Sequence, residues 1–211
     1  MARLPHGILG PVYGRIGNVV GTSWKGEPVV RTLPTGNPDP SYKQLEQRQR
    51  FGMMIYVMRN MQELLSETFK PYSGKMSAVN NAQQYNIKNA IIGIYPALDI
   101  HYPTMLVSRG DLPLVEATPA VSDSPNSISF SWRDNTGLGI AKADDHAILV
   151  AYSGDKHFCI YDLHGAMRSD GTAMLTTIHC SNKKMHTWIA FANAAGTEFS
   201  NSVYTGEVVV K

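Results

Sequence analysis

The chain is short of charge. Lys, Arg, Asp and Glu make up 17% of its 211 residues, against about 25% in ordinary soluble domains. Ser, Thr, Asn, Gly and Tyr must therefore cover much of the surface, which suits a protein that ends up against partners. The Lys and Arg residues are spread out, without the dense cluster that marks a nucleic-acid patch, so no nucleic acid is expected. The two cysteines, Cys159 and Cys180, are too few for a disulfide framework. Each reads as a buried thiol in a strand, or the two as one bridge if their strands are neighbours. No run of about 18 apolar residues exists, so no membrane-spanning helix is expected. In "MARLPHGILGPVYG", Pro5, His6, Gly7 and Gly10 interrupt any apolar signal core. Cytoplasmic synthesis without a signal peptide is the expectation, with a virion or other released particle as a further destination.

Catalytic and cofactor motifs are missing too. In Gly21-Thr22-Ser23-Trp24-Lys25-Gly26 the lysine precedes the second glycine and no helix follows, unlike a phosphate-binding loop. G-x-G-x-x-G and G-x-S-x-G do not occur, and neither cysteine has a nucleophile setting. The seven histidines lack metal-ligand spacing, and only neighbouring strands would bring His157, Cys159 and His179 together. In "KADDH", Asp144 and Asp145 would point to opposite sides of an extended segment. A solvated turn is the reading there, since a Ca²⁺ site needs further oxygens. No enzyme activity, cofactor or metal is expected.

What is present has an order. Residues 1–92 carry 11 Lys and Arg against 5 Asp and Glu, a net +6, while residues 93–211 carry −4. Oppositely charged halves let copies meet head to tail. Glycines at 7, 10, 14, 17, 21 and 26 prevent a helix near the start. "NVVGTSW" and "EPVVRTL" flank Lys25-Gly26 and predict a hairpin, which is marginal alone and needs something to lie on. Asp39 as cap and Pro40 at the first position predict a helix entry, with Pro38 discouraging an earlier start. From Leu45 to Phe69, apolar residues at 51, 54/55, 58, 61, 65 and 69 describe one helical stripe. A second helix over 77–92 shows Val79, Ala82, Asn86 and Ala90 on one side, making a helical hairpin.

Beyond Ile94 the period changes. "TMLVSR", "SISFSW", "AILVAY", "HFCIYDL", "AMLTTIHC", "TWIAFANA" and "SVYTGEVVV" read as seven strands. Alternation is clearest where Ile128, Phe130 and Trp132 share a face. The fold expectation is α+β. It runs as an extended arm (1–36), a helical hairpin (37–93) and an immunoglobulin- or fibronectin-like antiparallel sandwich (94–211) with Trp132, Tyr152 and Trp188 in its core. The sandwich is expected to close without the helices, leaving the "IYVM" face, Tyr56 and Val57, partly apolar and open to a partner.

The residues Gly14, Gly17, Asn18, Trp24, Lys25, Gly26, Arg31, Pro34, Asn37, Pro38, Gln44, Arg48 and Phe51 follow a pattern of W-K-G, Arg-x-x-Pro and N-P-x-T-x-x-Q-x-x-x-R-x-x-F. In this the chain resembles an uncharacterised domain-of-unknown-function family common in Bacteroidota. Pro40 or Ser41 replaces the pattern's Thr. "SFSWRDNTG", "DDHAILVAYS", "AMRSDGTAML" and "FSNSVYTGEVVV" extend the resemblance over nearly the whole chain. It implies a family and no functional residue.

The functional expectation is a non-enzymatic structural protein that self-associates or docks on a multi-copy particle, a virion or phage-tail-like body. Trp24, Lys25, Arg31, Arg48, Phe51 and Tyr56 are the docking candidates. The partner is protein, a homo-oligomer or a larger assembly. A carbohydrate- or protein-binding sandwich with ligand loops near "YSGDKH" is the alternative, and an unrecognised hydrolase the third.

Overall fold

The computed structural model of the chain describes residues 2–3, 10, 12–24, 26–33, 39–72, 74 and 76–211. Lys25, Pro34, Asn37 and Pro38, singled out above, lie outside the described residues, as do Pro5, His6 and Gly7. The chain divides into two compact units, residues 1–45 and 46–211.

In the first unit the expected hairpin forms and grows into a sheet. Strand β1 (Ala2–Arg3), β2 (Gly14–Ile16), β3 (Val19–Trp24) and β4 (Glu27–Thr32) lie in the antiparallel order β1-β4-β3-β2. Gly26 closes the β3–β4 turn at φ +86°, a conformation glycine adopts without steric cost. The extended arm is thus a four-stranded sheet.

Helix α1 (Tyr42–Met58) begins just after Ser41, which caps it. Ser41 Oγ accepts from the Gln44 N–H at 3.4 Å, and Gln44 Oε1 accepts from the Ser41 N–H at 2.9 Å. This is a capping box, whose S-x-x-Q spacing displaces the start expected at Asp39 and Pro40. A 3₁₀ turn at Arg59–Met61 then separates α1 from α2 (Gln62–Thr68), where the sequence predicted one continuous helix. The buried stripe is Met54, Val57, Met58, Met61, Leu64, Leu65 and Phe69, with Phe51 and Ile55 outside it. Helix α3 (Ala78–Asn89) is capped by Ser77, whose Oγ accepts from the Asn80 N–H at 3.3 Å. It ends three residues before the expected boundary. Ile91 instead opens a hairpin of β5 (Ile91–Ile94) and β6 (Ala97–Ile100).

Six of the seven expected strands form: β7 (Ser127–Ser131), β8 (His146–Ser153), β9 (Phe158–Asp162), β10 (Thr172–Thr176), β11 (Lys184–Ala192) and β12 (Val203–Val209). They make a four-stranded antiparallel sheet, β12-β11-β8-β9, and a two-stranded one, β10-β7. "TMLVSR" is the exception. Hydroxyls take the place of a ladder there: Val107 N–H donates to Ser202 Oγ at 3.0 Å, and Ser108 Oγ donates to the Ser200 carbonyl at 2.8 Å. Cys180 likewise falls after β10, in a turn, and both cysteines are free.

Two apolar layers hold this unit. Between the sheets lie Ile128, Phe130, Trp132, Leu149, Ile189 and Phe191. On the other face of β8 and β11, Ile148, Val150, Tyr152 and Trp188 pack with Met54, Leu64, Leu65 and Phe69 of the helices. Val57 and Met58 of the expected partner-facing stretch are buried, and the helices cover the outer face of the large sheet, so β8 is covered on both faces. Its run "AILVAY" has no polar alternation for that reason. Tyr152 and Trp188 belong to this second layer, and only Trp132 to the inter-sheet core.

Candidate protein-docking surface

Register decides which side chains of the small sheet meet. Residues directly opposite in an antiparallel pair share a face. Arg15 pairs with Val20 and Val20 with Arg31, Thr22 with Val29, and Trp24 with Glu27. One face therefore carries Arg15, Val20, Thr22, Trp24, Glu27, Val29 and Arg31, with Val29 buried on it, and the other Ile16 and Val19. Of the six docking candidates, the structure brings Trp24 and Arg31 together on this face.

The sheet buries little. Val29 is the sole buried hydrophobic among the described residues of 1–45, whereas Tyr13 is 64% exposed, Ile16 63% and Trp24 52%. Arg15 Nε donates to the Gly17 carbonyl at 3.1 Å, which ties its stem to the β2–β3 turn. The unit holds five Lys and Arg against two Asp and Glu, so the exposed apolar residues sit in a positive field.

Arg48, Phe51 and Tyr56 project from α1 and are exposed. Phe51 and Ile55 are one helical turn apart on its outer side. Phe51 also lines a groove of about 370 Å³ with Gln47, Gln83 and Ile87. Tyr56 packs edge-on against His157 at 4.3 Å between ring centres.

Sequence reasoning missed two arrangements. The first is a cluster of rings on the helix-covered face of the large sheet. Tyr102 stacks on His186 at 3.8 Å, His186 Nδ1 lies 2.9 Å from the Tyr204 hydroxyl, and the Tyr152 hydroxyl lies 3.2 Å from His157 Nδ1. Burial pushes His186 below the usual imidazole value, with Glu207 and Asp155 opposing. Burial also raises Tyr152, and it pushes the neighbouring Cys159 thiol up to about 12. His157 thus meets tyrosines. Among the described residues no group of His, Cys, Asp and Glu is arranged to hold a metal.

The second is an ion pair in the core. Arg168 Nε donates to Asp145 Oδ2 at 3.0 Å, with the two side chains 0% and 1% exposed. Arg168 also donates to Asn135 Oδ1 at 2.7 Å, and its guanidinium lies 4.2 Å from the Phe191 ring centre. Burial lowers the Arg168 value, and Asp145 works against that. Asp144 is exposed as expected, but Asp145 is not in a solvated turn. Nothing local in "KADDH" signals a partner 23 residues away.

The model of a family described as a family of unknown function (DUF6266) matches residues 11–206. No curated protein matches the chain. The solution structure of the fibronectin type III domain of human collagen alpha-1(XX) chain aligns at 14% identity and a TM-score of 0.30, covering 49% of this chain and 87% of that one. At that score the likeness carries no functional argument. The two sheets and the apolar layer between them make the sandwich.

Proposed function

The chain belongs to the family of unknown function DUF6266, and from that premise we propose that it is a non-enzymatic assembly protein whose N-terminal sheet docks on a second copy of the chain. Repeated, such contacts build a multi-copy particle. One observation carries the reading: among the described residues of the four-stranded sheet Val29 is the one buried hydrophobic, while Tyr13, Ile16 and Trp24 are exposed. A unit of this size has little core of its own, and exposed apolar side chains, Trp24 on one face of the sheet and Ile16 with Val19 on the other, mark contact surfaces. Charge supports a second copy as the partner. The unit of residues 1–45 is net +3 and residues 93–211 are net −4, and opposite charge on two copies steers association. Trp24 is the apolar anchor in this reading and Arg31 sets orientation.

Light scattering during gel filtration of the full chain, over a wide concentration range, tests it. A discrete oligomer is expected, weaker at high salt because the charges are screened. Trp24→Ala should weaken it by about 2–4 kcal/mol, as for other buried aromatic anchors, and Arg31→Glu should shift it further toward monomer. A monomer at every concentration and salt would sink self-association.

A further inference from the structure

The helix breaks where the sequence predicted none, and a groove opens there. Asn60 Nδ2 donates to the Tyr56 carbonyl at 3.3 Å, next to the 3₁₀ turn at Arg59–Met61. A side chain that bonds the preceding turn competes with the helical ladder. Such 3₁₀ stretches within helices often mark functional positions. Met61, Leu64 and Leu65 go fully into the core, while Arg59, Gln62 and Glu63 are exposed. Strand β9 brings Tyr161 to the same place, where its hydroxyl donates to Glu63 Oε2 at 2.8 Å. Val79 of α3 adds an apolar patch, and together these residues bound about 620 Å³. That lies within the usual range of small-molecule sites, about 300–1,000 Å³.

The lining is unlike an apolar ligand pocket. It offers a guanidinium, two carboxamides and a carboxylate braced by a phenol. Ser66 turns away, its Oγ donating to the Glu63 carbonyl at 2.7 Å. Among the described residues, neither the Arg59 guanidinium nor the Gln62 amide has a protein partner. The groove thus presents both donors and acceptors, with the charges of Arg59 and Glu63 cancelling. A hydroxyl both donates and accepts, so adjacent hydroxyls satisfy such a lining, whereas an anion would meet Glu63.

We propose that this groove binds a neutral saccharide. Arg59 and Gln62 donate to ring hydroxyls, the second oxygen of Glu63 accepts from one, and Tyr161 and Val79 lie against the apolar edge of the ring. The groove is built from residues outside the docking sheet, so its failure would leave the assembly reading intact.

The test begins with the full chain on an array of neutral and acidic oligosaccharides. Calorimetry follows with the best-retained glycan, and with free amino acids and dipeptides as zwitterionic controls. Retention of neutral glycans alone is expected. Arg59→Ala should weaken binding about ten- to a hundredfold, as for loss of a charged hydrogen bond, and Gln62→Ala by a few-fold to about tenfold. Both variants should melt with the parent, since neither side chain holds the fold. The proposal is overturned by no retained glycan, by preference for acidic glycans or zwitterions, or by binding that both variants leave unchanged.

Discussion

Strands β3 and β8 both mix aliphatic, aromatic and small residues, and both sit in the middle of four-stranded antiparallel sheets. Their surroundings differ completely. In β8 every residue from Ala147 to Ser153 is buried, while in β3 only Gly21 is. β8 has an opposing sheet on one side and helices on the other, whereas Val29 is the single buried hydrophobic described in the unit of β3. The same residue chemistry thus serves a core in one region and an open face in the other. An apolar side chain says that something must cover it. Whether the cover is the same chain or another is a matter of tertiary structure, and that contrast is what points to docking.

Variants can break the contrast or sharpen it. The largest effect is expected at Trp188, which is 0% exposed between β11 and the helices. Trp188→Ala should cost about 3–5 kcal/mol in denaturant unfolding. Arg168→Met should fall in the same range, about 3–5 kcal/mol, because it leaves the Asp145 carboxylate buried and uncompensated. Adding Asp145→Asn should recover much of that loss, and a double variant no better than the single would show that the pair is not the cause.

A smaller effect is expected from pH. Burial holds His186 below its usual value despite Glu207 and Asp155, with Lys184 adding to the depression. Its folded form therefore favours the neutral ring. The stability this contributes is present above the unfolded value of about 6.5 and is lost as pH falls toward the depressed folded value. Unfolding midpoints should decline below about pH 6.5, and less steeply in His186→Gln. Equal slopes in the two proteins would remove His186 as the source. The smallest change is expected at Trp24, where Trp24→Ala should alter unfolding of the monomer by no more than about 0.5 kcal/mol, as for other surface positions. A loss approaching that of Trp188→Ala would mean that Trp24 supports the fold, and the contrast between the two regions would collapse.

Much of the local order was legible in the residues. The alternation of Ile128, Phe130 and Trp132 marks a strand, and the β3–β4 hairpin shows in the apolar runs on either side of Gly26. Unbroken runs at 147–152 and 187–192 mark two more strands. The candidate docking face was half legible: Trp24 and Arg31 stand out by type, but their shared face needed the register that pairs Val20 with Arg31. The break at Arg59–Met61 was hidden because its residues are ordinary helix formers, and the signal was the return bond from Asn60 to Tyr56.

What the sequence determined by itself is periodicity, turn chemistry and composition, since each depends on neighbours a few bonds away. It therefore settled six of the strands, the two helical segments and the family pattern. Tertiary structure alone decided that β8 is covered twice, that Asp145 meets Arg168, and that His186 lies between Tyr102 and Tyr204. Those outcomes depend on which faces meet across long separations in the chain. A buried charge or ring is stable only with the partner that the whole fold delivers. The exposure of Trp24 follows from the same cause, because nothing in "VVGTSW" says which of its side chains the fold leaves uncovered.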